Sequence, residues 1–349
     1  MLQFHELPLW LNVTTFGAGA VAIWLAGTRL SGYADAIAER TGLGHAFVGA
    51  LLLGGITSLP EGATTVAASA IGNAPLAVNN ILGGVAMQVT ILAIADAIIP
   101  GGALSARALQ PAVLLQGALL ILMLALAAAG MAVGDRLFFG VGLWSVAIFV
   151  ATLAAFLLIH QSGSRGTWEV ARRTERALDE DESRRHGNAA RGHSTAHLAI
   201  ASSIAALVIL IAGVVVARSG DALAIQTGLG SSFVGVLLVA VATSMPEVST
   251  TLAAARLGLY GLAISSIFGA NILDLALLLP ADVAFPGGPV LNEVGRFSLV
   301  AALLGILLTA IYLVGLLERR KRVVLGLGLD SLLVLSVYVG GIWLLFTLG

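Results

Sequence analysis

The chain has 349 residues, of which 58% are hydrophobic and 11% are charged, and its net charge is −1. Soluble domains carry about 25% charged residues, so this composition excludes an ordinary soluble protein and a nucleic-acid-binding protein and predicts an integral membrane protein. The sequence contains no cysteine, which also excludes disulfides and thiolate metal sites.

Ten apolar segments are predicted in chain order, each long enough to cross a hydrocarbon core of about 30 Å as a helix. They cover residues 8–29, 46–70, 75–99, 109–134, 136–160, 196–217, 232–256, 259–283, 294–317 and 326–348. Barrel strands would be about ten residues long with alternating polarity, so the predicted fold is all-α. No basic stretch precedes the first segment, which is therefore expected to stay as a helix and not to be removed as a signal peptide.

Charged residues in the loops predict the orientation. Of the 18 Lys and Arg, 15 fall on the side that holds the polar segment 161–195. The positive-inside rule then places this linker in the cytoplasm and both termini outside, in a multi-pass protein of the plasma (cytoplasmic) membrane.

An internal duplication organises the whole chain. The segment TGLGHAFVGALLLGGITSLPE (41–61) matches TGLGSSFVGVLLVAVATSMPE (227–247) at 13 of 21 positions, and equivalent residues lie 186 positions apart, as Glu247 follows Glu61. Five spans separate equivalent residues, so the two copies enter the membrane from opposite sides, a pattern typical of secondary transporters. The predicted organisation is an N-terminal five-helix repeat at 1–160, a cytoplasmic linker at 161–195 and an inverted five-helix repeat at 196–349.

Three more pairs of polar or small residues repeat at the same offset. Asp35 and Asp221 precede the TGLG segments and are interpreted as caps or vestibule charges. Asp96 and Asp282 fall at span ends, where we expect solvation of the helix end. Gly83 and Gly269 are expected to allow close packing between helices. The list of equivalent pairs is Asp35 with Asp221, Asp96 with Asp282, and Gly83 with Gly269.

The motifs TSLPE (57–61) and TSMPE (243–247) each place a carboxylate beside a proline inside a span. A carboxylate at the bilayer centre costs about 2.5–3.5 kcal/mol and normally faces a partner or a wet cavity. Each proline removes a backbone donor and frees a carbonyl, and unpaired backbone is tolerated at this depth only where it lines a cavity or is buried in protein. Both motifs therefore predict a cluster of oxygen ligands.

Two further polar residues are expected at the same depth. Gln88 and Asp274 are equivalent, and each lies 27 residues beyond its glutamate, which in a helical hairpin returns the chain to nearly the same height. Such hard oxygen ligands suit Ca²⁺, which takes six to eight of them. The predicted metal-binding residues are Glu61, Glu247, Asp274, Gln88, Thr57, Ser58, Thr243 and Ser244.

The paired TSLPE and TSMPE motifs, followed by NNILGG and SSIFGAN, resemble the α-repeats of the calcium/cation antiporter superfamily, and within it the sodium/calcium exchanger branch. The resemblance implies ten helices in two inverted five-helix repeats and alternating access by sliding of the first and sixth spans. It also implies that Glu61 and Glu247 coordinate Ca²⁺ and share the counter-ion sites, with the Thr and Ser pairs as further ligands. Calcium against sodium is the exchange it implies.

Departures from the family pattern leave the counter-ion open. Gly84 and Ala270 stand where the resemblance implies serine hydroxyls of flanking sodium sites, and Gln88 stands where the family usually has Asn. An exchanger of H⁺ for Ca²⁺, or for another divalent cation, is therefore the alternative, because clustered carboxylates away from water can bind protons.

Other classes of function were weighed against an antiporter. The acidic pair consists of glutamates, no Ser–His or Cys–His arrangement occurs, and no His-Glu-x-x-His motif is present, so an intramembrane hydrolase is not expected and the protein is predicted not to be an enzyme. A passive cation channel is the third interpretation. No resident cofactor is expected; the predicted partners are the transported Ca²⁺ with Na⁺ or H⁺ and the lipid bilayer, and a monomer is expected to be functional.

Overall fold

The computed structural model describes residues 4–41, 55, 57–98, 104–107, 111–164, 195–256, 260–318, 323–324 and 327–348. Nearly all of them are helical. The helices are α1 Leu9–Thr41, α2 Leu59–Ala70, α3 Ala74–Ile98, α4 Leu104–Arg107, α5 Pro111–Val133, α6 Leu143–Ser164, α7 Thr195–Thr227, α8 Ser231–Thr243, α9 Met245–Arg256, α10 Tyr260–Ala276, α11 Leu278–Ala284, α12 Arg296–Glu318 and α13 Leu329–Leu348. Short 3₁₀ turns occur at Phe4–Glu6 and Val290–Asn292.

The predicted all-α membrane fold is confirmed, with small additions. Within the described residues eight helical segments are long and apolar enough to span a membrane, and the bent pair α8–α9 makes a ninth. The second predicted span, 46–70, is described only at residue 55 and from residue 57 onward, and residues 165–194 of the predicted linker lie outside the described residues. Two hairpins of two-residue strands also occur, β1 Leu137–Phe138 with β2 Val141–Gly142 and β3 Val323–Val324 with β4 Leu327–Gly328.

Helix α3 is the centre of the bundle. It is apolar on all sides and is almost entirely buried, whereas α1, α7 and α13 expose most of their surface. In a bilayer this exposed surface faces lipid, so an apolar outside is expected of the peripheral helices. The two broken segments, α2 and α8–α9, pack against α3, and this contact brings their motifs to the middle of the bundle.

Only one of the two repeated glycines serves close packing. A Cβ at Gly83 would overlap the backbone of Val236, which lies in a π-helical stretch of α8 at Gly235–Val239. A Cβ at Gly269 would meet nothing within 4 Å. The expectation of tight packing therefore holds at Gly83 and is wrong at Gly269.

The repeated aspartates at span ends are buried, so the expectation of solvation there is wrong. Asp282 is 3% exposed, and its two carboxylate oxygens accept backbone N–H bonds from Gly142 (2.5 Å) and Val290 (2.6 Å). Gly142 belongs to the β1–β2 hairpin of the first repeat, so Asp282 of the second repeat ties the two halves together.

Asp96 makes the same contacts in the inverted copy. It is 1% exposed and accepts backbone N–H bonds from Leu104 and from Gly328 of the β3–β4 hairpin, both at 2.6 Å. The partners are themselves equivalent, since Gly328 lies 186 positions after Gly142. Each repeat therefore uses one buried aspartate to hold a hairpin of the other repeat, where sequence periodicity alone suggested only a polar helix end.

Candidate functional site

Both acidic motifs lie at a break that starts a new helix. Pro60 and Glu61 occupy the first turn of α2, and Pro246 and Glu247 occupy the first turn of α9, with a bend of 51° between α8 and α9. Proline is favoured in the first helical turn because no intrahelical partner is lost there. The N-terminal end of a helix carries a partial positive charge, which stabilises a nearby carboxylate. The sequence thus places each glutamate where its negative charge is best tolerated.

Glu61 is completely buried and is held by residues of the other repeat. Its Oε1 accepts a hydrogen bond from the hydroxyl of Ser244 at 3.1 Å, and Thr243 lies beside the same carboxylate. The amide of Asn80 lies 3.4 Å from the backbone carbonyl of Glu61 and donates to Thr65 at 3.0 Å. These contacts fix the orientation of Glu61 towards the second repeat.

Glu247 lies opposite Glu61 in the inverted copy. It is 3% exposed, and neither of its carboxylate oxygens has a hydrogen-bond partner in the described ranges, although Thr57 lies beside it. Its carboxylate is close enough to Glu61 and Asp274 for their charges to repel. Thr57 beside Glu247 and Thr243 beside Glu61 are equivalent contacts, so the two repeats meet around a pseudo-two-fold axis.

Gln88 and Asp274 meet at this axis. Gln88 Nε2 donates to Asp274 Oδ2 at 3.3 Å and lies 3.5 Å from the hydroxyl of Ser244. Ser58 lies beside Asp274, as its equivalent Ser244 lies beside Gln88. Since Gln88 and Asp274 are themselves equivalent residues on α3 and α10, their direct contact shows that both helices reach the same depth.

The structure therefore brings all eight predicted ligands into one buried cluster. Six of their oxygen atoms are buried and have no hydrogen-bond partner among the residues that the structure describes. These atoms are Ser58 Oγ, Glu61 Oε2, Gln88 Oε1, Glu247 Oε1, Glu247 Oε2 and Asp274 Oδ1. Buried polar atoms are nearly always paired, and unpaired carboxylate oxygens are especially costly, so this concentration of free acceptors indicates a site for a positively charged ligand.

Carboxylates alone do not complete such a site. Within the described ranges, no group of three or more His, Asp or Glu side chains is arranged closely enough to hold a metal ion. The buried acceptors described above also include the hydroxyl of Ser58 and the amide oxygen of Gln88, and such a mixed set of oxygens fits a hard cation and does not fit a metal that prefers nitrogen or sulfur.

Two buried asparagines belong to the same region and were not predicted as site residues. Asn80 supports Glu61, as described above, and accepts a hydrogen bond from Thr243 at 3.2 Å. Asn271 lies one turn before Asp274 on α10 and is 0% exposed, and no described residue pairs with its amide nitrogen or oxygen. The signal was present in the segments NNILGG and SSIFGAN, where polar residues interrupt apolar helices, but side-chain direction could not be read from it.

Gly84, one of the two residues that differ from the family pattern, lies directly beside the candidate site. A Cβ at this position would meet only Ser244, whose hydroxyl lies 3.8 Å away. Ala270, the equivalent residue, is 1% exposed. A hydroxyl at position 84 would therefore add a ligand next to Ser244, and the natural sequence lacks it.

Comparison with known proteins gives matches over nearly the whole chain. The family model for the sodium/calcium exchanger protein matches residues 11–159 and 197–347. Among curated proteins, a putative antiporter CaxA from Alkalimonas amylolytica is 32% identical over 123 residues. This match covers 34% of the chain and 36% of the relative, so the chain spans about a third of that relative's length.

Several solved structures share the fold. A structure of the sodium-calcium exchanger NCX_Mj, soaked with Na⁺ and Sr²⁺, superposes with a TM-score of 0.60 at 18% identity and covers 96% of this chain and 99% of that chain. Native YfkE has a TM-score of 0.63 at 17% identity, over 95% and 92% of the two chains. The H⁺/Ca²⁺ exchanger CAX has a TM-score of 0.66 at 12% identity, over 97% and 85%. At such low identity these likenesses concern the fold alone.

Proposed function

Since the chain belongs to the sodium/calcium exchanger protein family, we propose that it is a secondary active antiporter that exchanges Ca²⁺ for Na⁺ by alternating access. The transported cation binds midway through the bundle, between the glutamates of the two inverted repeats. The observation that carries this proposal is the set of six buried oxygens, from five of the eight predicted ligands, that have no hydrogen-bond partner in the described part of the chain.

The charge of the site supports a divalent cargo. Glu61, Glu247 and Asp274 supply three formal negative charges when ionised, whereas Gln88 supplies a neutral amide at the position equivalent to Asp274. One Ca²⁺ or two monovalent cations would each leave the same residual charge of −1. Either load therefore compensates the site equally well, as an exchanger requires, and the empty site is the least stable state in the membrane.

The ligand roles follow from position. Glu61 and Glu247 would bind the cargo directly, one from each helix N-terminus, and Asp274 would complete the charge. The smaller hydroxyl and amide groups would fill the remaining coordination positions. These ligands are Gln88, Thr57, Ser58, Thr243 and Ser244.

Exchange of H⁺ for Ca²⁺ is the second candidate. The observation that favours it is the missing side chain at Gly84, so that no second hydroxyl stands beside that of Ser244, where a flanking Na⁺ would gain a ligand. In this case the carboxylates themselves would carry protons in the returning state. The arrangement of the other ligands would be unchanged.

Orientation and assembly remain as predicted from the loops. We propose a plasma-membrane protein with both termini outside and residues 161–195 in the cytoplasm, because most Lys and Arg lie on that side. One chain supplies both halves of the site, so a monomer suffices for exchange.

Proteoliposomes with purified protein test the proposal. Na⁺-loaded vesicles diluted into Na⁺-free buffer should accumulate Ca²⁺, and collapse of the Na⁺ gradient should stop uptake. Uptake that needs only a pH gradient in Na⁺-free buffer would select the H⁺-coupled alternative, and flux that neither saturates nor exchanges would indicate a channel. The Glu61→Gln and Glu247→Gln variants should each abolish exchange, while Glu293→Gln, at an exposed loop position, should not; exchange by either site variant would refute the paired site.

A further inference from the structure

Helices α1 and α7 form a peripheral pair that is separate from the central bundle. They pack against each other along their length, as the close approach of Gly19 to Val216 shows, and most of their remaining surface is exposed. Each helix also contacts a broken helix of the opposite repeat, α1 against α9 and α7 against α2. This peripheral pair thus lies over both glutamate motifs.

The packing of the peripheral pair departs from the pseudo-two-fold symmetry of the repeats. The contact of α7 with α2 lies about one helical turn along the chain from the position equivalent to the contact of α1 with α9. Gly27 on α1 packs against Pro246, whereas its equivalent, Gly213 on α7, packs against Ala63 and Thr64 instead of Pro60. Three to four residues of a helix correspond to about 5 Å. Because the two repeats are inverted copies, each can adopt the contact that the other makes here. A second state is therefore expected in which the pair has shifted by one turn.

A polar cluster ties the peripheral pair to the central bundle at the end that carries the N terminus. At the end of α7, the Asp221 carboxylate accepts a hydrogen bond from Asn73 Nδ2 at 2.5 Å on one oxygen and contacts His5 Nε2 at 3.1 Å with the other. Asn73 precedes α3 and also donates to the hydroxyl of Ser231, which begins α8, at 2.9 Å. We call His5, Asn73, Asp221 and Ser231 the Asp221 latch.

Asn73 is held rigidly in this position. Besides its two donated bonds, its Oδ1 accepts the backbone N–H of Leu76 at 2.9 Å, which caps the start of α3. The amide is therefore fixed by α3 and α8, and its bond to Asp221 joins a fixed element of the bundle to the peripheral pair. His5, in contrast, precedes α1 and contacts Asp221 within that pair.

The inverted copy cannot form the same latch. Asp35 is equivalent to Asp221, but the residues equivalent to Asn73 and Ser231 are Leu259 and His45. Leucine cannot donate a hydrogen bond to a carboxylate. The sequence therefore supplies no asparagine at the position that would correspond to Asn73 in a shifted pair, so the donor that holds Asp221 has no counterpart for Asp35.

We propose that the Asp221 latch holds the α1–α7 pair in the register seen here and must open during each transport cycle, so that it biases the two states unequally. The latch uses none of the eight cation ligands. It rests on the proposed alternating access, but its position and its asymmetry come from the contacts at the bundle end. A shift in the equilibrium requires only that the latch exist in one state and not in the other.

A reversible cross-link tests whether the latch must open. Because the natural chain contains no cysteine, the double variant Asn73→Cys with Asp221→Cys can be joined by a short thiol cross-linker without competing sites. Ca²⁺ exchange should be lost on cross-linking and return after reduction. The matched control joins Asn12→Cys to Gln226→Cys, whose natural side chains hydrogen-bond at 3.0 Å within the peripheral pair, and should exchange in both conditions. Undiminished exchange by the cross-linked latch would overturn the proposal.

A second measurement does not depend on transport. Spin labels at Ile225→Cys on α7 and Phe139→Cys on the β1–β2 hairpin report the distance between the peripheral pair and the bundle, and both positions are exposed. Adding Asp221→Ala should populate a distance changed by about 5 Å, one helical turn, whereas adding Asn12→Ala should not. If Asp221→Ala leaves the distribution of spin-label distances unchanged, the latch is contradicted even if the protein exchanges Ca²⁺. If the distances shift but the protein does not exchange Ca²⁺, the result counts against the proposed function alone.

Discussion

The cross-repeat contact of Asp282 can be tested through stability. Asp282→Asn keeps one acceptor oxygen and replaces the other with an amide N–H₂, so one of the bonds to Gly142 and Val290 is lost and its backbone N–H stays buried. A hydrogen bond to a charged group contributes about 1.5–3 kcal/mol, and a buried unpaired donor costs about 1–3 kcal/mol. We expect a loss of roughly 3 kcal/mol, which corresponds to a Tm lower by about 5–10 °C for a chain of this order of size.

Thermal unfolding in detergent, followed by tryptophan fluorescence, measures this loss. Asp96→Asn provides an independent replicate, because Asp96 makes the equivalent pair of backbone bonds at the other end of the bundle. Part of the effect at Asp282 is offset by relief of its repulsion with Asp135, so the Asp96 variant should be at least as destabilised. The control is Glu293→Ala, an exposed residue near the same loop.

Two outcomes would refute the reasoning. If Asp282→Asn and Asp96→Asn unfold within about 0.5 kcal/mol of the natural protein, the range of ordinary surface substitutions, then the aspartates do not hold the hairpins. If they are destabilised but Glu293→Ala is destabilised equally, the loss belongs to the loop and not to the buried carboxylate.

Three further predictions concern packing, pH and counter-ion. Gly83→Ala should lower the Tm by several degrees because its Cβ would overlap the backbone of Val236, whereas Gly269→Ala should leave the Tm unchanged; equal Tm values for both variants would show that α3 and α8 can separate freely. Burial raises the pKa of Asp135 above its ordinary value of about 4. The folded state therefore gains stability from protonated Asp135 that is complete below about pH 4 and is lost as the pH rises through the raised pKa. Asp135→Asn should therefore flatten the decline of Tm with rising pH, and parallel curves for the two proteins would contradict this. Gly84→Ser should increase the Na⁺ dependence of Ca²⁺ uptake in proteoliposomes by adding a hydroxyl beside Ser244, and an unchanged Na⁺ titration would show that this position does not contact the counter-ion.

Much of the candidate site could be predicted because its residues violate the rules of the surrounding sequence. Glu61 and Glu247 are charges in apolar spans beside helix-breaking prolines, and their 186-residue spacing identified the repeat. The same spacing placed Gln88 opposite Asp274, and the structure brings these two side chains into direct contact. Periodicity and insertion cost were sufficient here, since a bilayer leaves few alternatives for such residues.

Other positions could not be interpreted from spacing, because their surroundings are built by segments that lie far away in the sequence. Gly83 and Gly269 are identical in sequence, yet only Gly83 has a helix pressed against it. Asp96 and Asp282 look like solvated helix ends until the hairpin of the opposite repeat covers them. Asn271 lies in an apolar helix, α10, and the direction of its side chain depends on how that helix is rotated in the bundle.

The sequence by itself predicted the membrane environment, the inverted duplication and the residue types of the candidate cluster, because hydropathy, duplication and charge within apolar segments can be recognised in the chain without its fold. The tertiary structure alone decided which repeat supplies each contact: Ser244 to Glu61, Gly142 to Asp282 and Asn73 to Asp221 all join segments distant in sequence. It also revealed the one-turn displacement of α1 and α7, an asymmetry that two equal copies of a sequence cannot specify.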